Sequence, residues 1–179
     1  MEDLLYSLSE RIGVLLVSRG EQLATAESCT GGWIAKCFSD VPGSSEWFER
    51  GFVTYSNRAK QEMLGVKNAT LIMDGAVSEA TVAEMAQGAL RRSAAQCALA
   101  VSGIAGPGGG TAEKPVGLVW FAWKRVDGPC RCRRHIFEGD REMVRLQAVQ
   151  TALRGVFDAY AGSECRASVR HEPQRPGAR

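Results

Sequence analysis

Leu4, Leu5, Leu8, Ile12, Val14, Leu15 and Leu16 recur at roughly helical spacing, which predicts an amphipathic helix from Asp3 to Arg19 that Gly20 ends. The short, partly apolar stretch Gln22 to Ala26 reads as a strand, and Glu27-Ser28-Cys29-Thr30-Gly31-Gly32 turns it into a helix from Trp33 to about Ser39. After the turn Val41-Pro42-Gly43-Ser44-Ser45, aromatic and β-branched residues from Trp47 to Tyr55 predict a strand, and Ser56 or Asn57 caps a helix through Leu64. Ser78, followed by acid in the first turn, starts another helix that runs to about Ala94.

The near-continuous apolar run Cys97 to Val101 has the pattern of a strand buried on both faces, and it opens into a glycine-rich stretch from Ser102 to Gly110. Val116 to Arg125 and Arg131 to Phe137 predict an antiparallel hairpin turning at Asp127-Gly128-Pro129, and Asp140 to Ala159 is the closing helix. From Gly162 the chain is polar and rich in proline and arginine, so residues 162–179 are expected to be a disordered tail on a single domain of residues 1–161. Helices alternating with strands, then a hairpin, predict an α/β fold with three layers, α/β/α, around a mixed sheet. Ligands are expected at the turns that follow the carboxyl ends of its strands.

Composition changes this picture little. Hydrophobic residues make up 45% and charged residues 23% of the 179, the balance of a globular domain, and a net charge of +2 gives no case for a nucleic-acid partner. The six cysteines lack the paired spacing of a zinc site and read as reduced thiols, which points to the cytoplasm. No basic, then apolar, leader opens the chain and no apolar run approaches the ~20 residues of a membrane span, so neither export nor a membrane is expected.

Thr30-Gly31-Gly32 at a helix start offers backbone N–H groups and a positive dipole end to a phosphate, although such turns are common with Thr30 as a simple cap. The Ser102–Gly110 stretch makes a similar offer but fits neither the phosphate-loop nor the dinucleotide pattern. Hydrolysis by a serine and histidine is poorly supplied: His171 falls in the expected tail, and His135 lies in a hairpin strand flanked by Arg133 and Arg134, where it reads as a surface residue. A lysine of lowered pKa replaces histidine in some hydrolases, and Lys60, one turn into a helix, is the best-placed candidate, with Tyr55 nearby and Ser45 within its expected reach. The ordinary alternatives stand beside these: Lys60 as a solvated helix lysine, and Ser44 and Ser45 as turn residues. Arg141 and Arg145, four apart on the last helix, suit an anion or plain solvent exposure, and Glu27 either orients Lys60 or a substrate amide or is simply solvated. No His, Cys or carboxylate cluster has metal spacing, so no metal or other cofactor is expected.

Five segments in one order resemble the CinA C-terminal domain family: Thr25 to Gly32, Gly43 to Phe48, Gly51 to Lys60, Gly75 to Ser78 and Ser102 to Pro107. The resemblance runs from about Leu4 to Ala159. It implies the activity of the family's stand-alone members, which hydrolyse the carboxamide of nicotinamide mononucleotide to nicotinic acid mononucleotide and ammonia, in pyridine nucleotide recycling. It implies Ser45 as nucleophile with Ser28 as its rival, Lys60 as base and Tyr55 assisting. It further implies substrate contacts from Glu27, Thr30, Gly31, Gly32, Ser102, Gly103, Ala105, Gly106 and Arg141 or Arg145, and a homodimer. The competing reading is a binding protein without catalysis, holding a nucleotide in a competence or DNA-damage response.

Overall fold

The computed structural model describes residues 2–164. Helix α1 (Glu2–Arg19) precedes strand β1 (Leu23–Glu27), helix α2 (Trp33–Ser39), strand β2 (Phe48–Val53), helices α3 (Asn57–Leu64), α4 (Asn68–Met73) and α5 (Glu79–Arg91), strands β3 (Cys97–Gly103), β4 (Leu118–Arg125) and β5 (Cys130–Ile136), and helix α6 (Arg141–Glu164). A short 3-10 turn, Ser44–Glu46, leads into β2. The strands form one sheet in the order β2-β1-β3-β4-β5, with β2, β1 and β3 parallel and β4 and β5 antiparallel.

The expected three-layer α/β/α architecture with its hairpin is therefore present. Alternation along the central strands decides what packs on each face. Leu23, Cys97, Leu99, Val101, Phe121 and Trp123 point to one side and meet Ile12 and Leu16 of α1, Phe38 of α2 and Val149 and Leu153 of α6. Ala24, Ala26, Ala98, Ala100 and Ala122 point to the other, and this methyl-lined surface takes Val82, Met85, Ala86 and Ala89 of α5, with Leu64 of α3 and Leu71 of α4 beside them. Small side chains let α5 lie close to the sheet, and Gly88 lies against the backbone of Leu64, so α3 is pressed onto α5 with no room for a methyl group.

Two boundaries differ from the sequence reading. Helix α4 falls in a stretch that carried no helical signal: it is six residues long, and only Leu71 of its side chains is buried. Helix α6 continues to Glu164, past Gly162 where the tail was expected to start. His171 and Cys165 lie outside the described residues, as do the other positions of the expected tail beyond Glu164.

Candidate active site

In a parallel pair both strands end on the same side of the sheet, and the residues following β1 and β2 meet there. Thr54 N–H, just past β2, donates to the carbonyl of Glu27 at the end of β1 (2.8 Å). Ser28 is the next residue, anchored by its own N–H to the Val101 carbonyl of β3 (3.0 Å). On the β2 side the chain turns at Ser56, whose hydroxyl accepts from Ala59 N–H and caps α3. One turn later Lys60 runs inward and is 1% exposed. Its Nζ lies 2.9 Å from Ser28 Oγ and donates to the Thr54 carbonyl, also at 2.9 Å.

Among the described residues no carboxylate pairs with this amine. Burial favours the neutral form and lowers the Lys60 pKa to about 8. A neutral amine has two N–H donors and one lone pair. With one N–H on the Thr54 carbonyl, the lone pair is available to accept the Ser28 hydroxyl proton.

Ser28 and Lys60 open into a cavity of about 200 Å³ that is also lined by Cys29, Tyr55, Asn57, Ala76, Val77, Ser102, Gly103, Ala105 and Arg141. Ser102, Gly103 and Ala105 thus line the cavity, while Ser102 Oγ itself donates to the Ala76 carbonyl (2.7 Å) and so ties the end of β3 to the segment before α5. Arg141 donates to the Gly106 carbonyl and to Tyr55 Oη, each at 2.8 Å, which places its guanidinium at the cavity and gives the Tyr55 hydroxyl a cationic partner. Asn57, Ala76 and Val77 carried no functional assignment in the sequence reading. Asn57 had a signal: it stands three residues before Lys60 in one helix, a spacing that puts both side chains on one face.

Other expected positions lie elsewhere. Ser45 is exposed in the 3-10 turn before β2. The neighbouring Trp47 carbonyl accepts from Leu23 N–H at the start of β1, so Ser45 sits at the opposite end of the strands, roughly 15 Å from Ser28 at ~3.3 Å per strand residue. The structure does not bring Ser45 to Lys60. Glu27 is neither solvated nor turned toward Lys60 or the cavity: it is fully buried, and its carboxylate accepts from Gly32 N–H (3.0 Å), Ile34 N–H (3.0 Å) and Ala35 N–H (2.8 Å). It occupies the N-terminus of α2 that a phosphate was expected to fill. Thr30 is wholly buried, and its hydroxyl has no hydrogen-bond partner among the described residues.

Gly31 and Gly32, at φ +63° and +93°, supply the left-handed turn that lets the chain wrap round the Glu27 carboxylate. They face a separate groove of about 850 Å³, shared with Tyr6, Trp33, Lys36 and Arg145, on the far side of the Ser28 turn. Arg145 donates from Nε to the Cys29 carbonyl (3.1 Å) and from Nη2 to the Thr30 carbonyl (3.0 Å), with its guanidinium 5.3 Å from the centre of the Trp33 ring. It braces the turn from behind. His135 lies on the edge strand β5, exposed and stacked on Phe137. Among the described residues no three His, Cys, Asp or Glu side chains gather to hold a metal ion, and no helix is long and apolar enough to cross a membrane.

A buried amine against a hydroxyl, at the carboxyl ends of parallel strands, defines the class: an α/β/α sandwich with a polar pair at its topological opening. The comparisons narrow it. The model of the CinA C-terminal domain matches residues 5–160, and the chain belongs to that family. It is 54% identical over 156 residues to the nicotinamide-nucleotide amidohydrolase PncC of Escherichia coli (strain K12), covering 87% of this chain and 94% of that one. It is 56% identical over 157 residues to the PncC of Enterobacter agglomerans, covering 86% and 96%. Among solved structures, the competence/damage inducible protein CihA from Agrobacterium tumefaciens superposes with a TM-score of 0.85 at 47% identity, over 88% of this chain and 96% of that one.

Proposed function

We propose that the protein hydrolyses the carboxamide of nicotinamide mononucleotide, releasing ammonia and leaving nicotinic acid mononucleotide, with Ser28 as nucleophile and Lys60 as general base. The observation that carries the reading is the 2.9 Å approach of a buried Lys60 amine to Ser28 Oγ. The names of the amidohydrolase relatives supply the substrate.

In this mechanism the neutral amine takes the Ser28 proton as Oγ attacks the carboxamide carbon. The Lys60 ammonium then hands the proton to the departing nitrogen, and ammonia leaves. Water, deprotonated by the same amine, resolves the acyl-serine ester. The Cys29 N–H, following the nucleophile at the turn, is the donor assigned to the oxyanion. At the cavity mouth Arg141 takes the phosphate, with Tyr55 holding its guanidinium in place. Ser45, at the far end of the strands, has no part in this scheme.

The rest of the assignment is one domain over residues 1–161, a homodimer and a cytoplasmic enzyme. Reduced, unpaired thiols at Cys29, Cys37 and Cys97 support the location, and the exposed side chains of Ile72 and Met73 support a second copy on that face. Ammonia release from the purified protein given nicotinamide mononucleotide, nicotinamide riboside or NAD tests the activity. Release from the mononucleotide alone is the expected result. Tight nucleotide binding with no ammonia would favour the non-catalytic reading.

A further inference from the structure

Three of the described cysteines sit among core side chains, Cys29 also at the wall of the Ser28 cavity. Cys29, Cys37 and Cys97 are buried, and burial pushes their thiols up to about 11, 11 and 12. Thiols held protonated in this way react poorly at neutral pH.

Cys130 and Cys132 are different in every respect. They lie two residues apart on β5, the edge strand of the sheet, so both side chains leave the same face of the strand. Their sulfurs are 3.8 Å apart, within hydrogen-bond range for sulfur. Cys130 is exposed and Cys132 half-buried. Lys124 stands opposite Cys130 in the β4–β5 register and Glu79 of α5 is the nearby acid, while Arg131 and Arg133 leave the other face of the strand and pair with Asp158 of α6. The hydrogen bond from Cys132 and the charge of Lys124 hold the Cys130 thiol below its ordinary range, while the same pairing raises Cys132. An exposed thiol with a second thiol 3.8 Å away on the same strand face is the arrangement of a nucleophilic and a resolving cysteine.

We propose that Cys130 and Cys132 form a reversible oxidation site, in which a hydroperoxide oxidises Cys130 and Cys132 closes an intrastrand disulfide. The Cys130 thiolate attacks one peroxide oxygen and the O–O bond breaks. The departing hydroxide takes a proton and leaves as water, and Cys130 becomes a sulfenic acid. Cys132 then gives up its proton and attacks the Cys130 sulfur: the S–S bond forms, the S–OH bond breaks and a second water leaves. Two thiols lose two electrons and two protons in total, and one hydrogen peroxide is reduced to two waters. Residues two apart on a strand have Cα atoms about 6.6 Å apart, near the upper end of the span a disulfide bridges, so small thiols reduce this bond readily.

The test uses the full chain carrying Cys165→Ser, treated with hydrogen peroxide and mapped by peptide mass. The peptide holding residues 130–132 should lose about 2 Da and regain it with dithiothreitol, and Cys130 should react at least about 10-fold faster than Cys29, Cys37 or Cys97. Adding Cys132→Ser should stop the reaction at a sulfenic acid on Cys130 that dimedone traps. A buried cysteine oxidised first, a bridge joining two chains, or no dimedone adduct at Cys130 in the Cys132→Ser protein would each overturn the proposal.

Discussion

Lys60 and Glu27 are both buried charge-bearing side chains at the strand ends, and the structure treats them oppositely. Glu27 receives three backbone N–H groups from the start of α2, so its charge is compensated by the helix it caps. Replacing it by glutamine turns an amide group toward donors. Glu27→Gln should lower stability by about 2 kcal/mol, read from denaturant unfolding, and should reduce turnover as well because Ser28 is the next residue. Lys60 has no such compensation among the described residues, and in the proposed mechanism its pKa of about 8 sets the pH at which it acts as a base. Roughly a tenth of the amines are neutral at pH 7, so kcat/KM should rise with pH through an apparent pKa near 8 and then level off. A profile flat from pH 6 to 9 would remove Lys60 from the proton-transfer role.

Elements rather than residues decide which serine meets the lysine. A sequence reader sees Ser45 fifteen positions from Lys60 and Ser28 thirty-two away, and the nearer one looks favoured. Parallel pairing of β1 with β2 reverses this, since residues after each strand share one end of the sheet and residues before β2 lie at the other. Lys60 and its surroundings were legible because a strand, a cap and one helical turn fix where it points. The function of Glu27 was not, because capping depends on the φ of Gly31 and Gly32 and on three N–H groups that leave no trace in residue type. Helix α4 was missed for a related reason: six residues carry too little periodicity to read.

Two variants test the element-level account. Arg145 reaches the carbonyls of Cys29 and Thr30 rather than the cavity of Ser28, so Arg145→Ala should lower kcat by about 10-fold or more with KM for the mononucleotide within about 2-fold. A rise in KM alone would make it a substrate ligand instead. In Gly88→Ala the new methyl would overlap the Leu64 carbonyl, so α3 must move away from α5. That overpacking should cost about 1–3 kcal/mol of stability and, because α3 carries Lys60, also slow turnover, checked by thermal unfolding alongside activity.

Across the whole molecule, the alanine-lined face of the sheet and the aliphatic and aromatic face opposite it are what make the sandwich; of this only the two-sided burial of β3 was legible, in the near-continuous apolar run Cys97 to Val101. The buried lysine works against that core. Its pKa in the folded chain lies below the 10.5 of the free side chain, so the folded state binds fewer protons than the unfolded state between these values, and stability rises with pH across that window. Below about pH 8 the penalty is fully present, on the order of 3 kcal/mol. Lys60→Met should therefore raise the unfolding midpoint at pH 7 while abolishing turnover, and the gain should shrink as pH approaches 10. An equal midpoint at pH 7, or a gain that grows with pH, would contradict this assignment of the amine.

The central claim is that the hydroxyl of Ser28 attacks the substrate, and single-residue replacement with ammonia release as the readout addresses it most directly. With nicotinamide mononucleotide as substrate, Ser28→Ala should lose activity by about 1,000-fold or more, while Ser45→Ala keeps the rate of the unaltered protein. Full activity in Ser28→Ala, or its loss in a folded Ser45→Ala protein, would contradict the account.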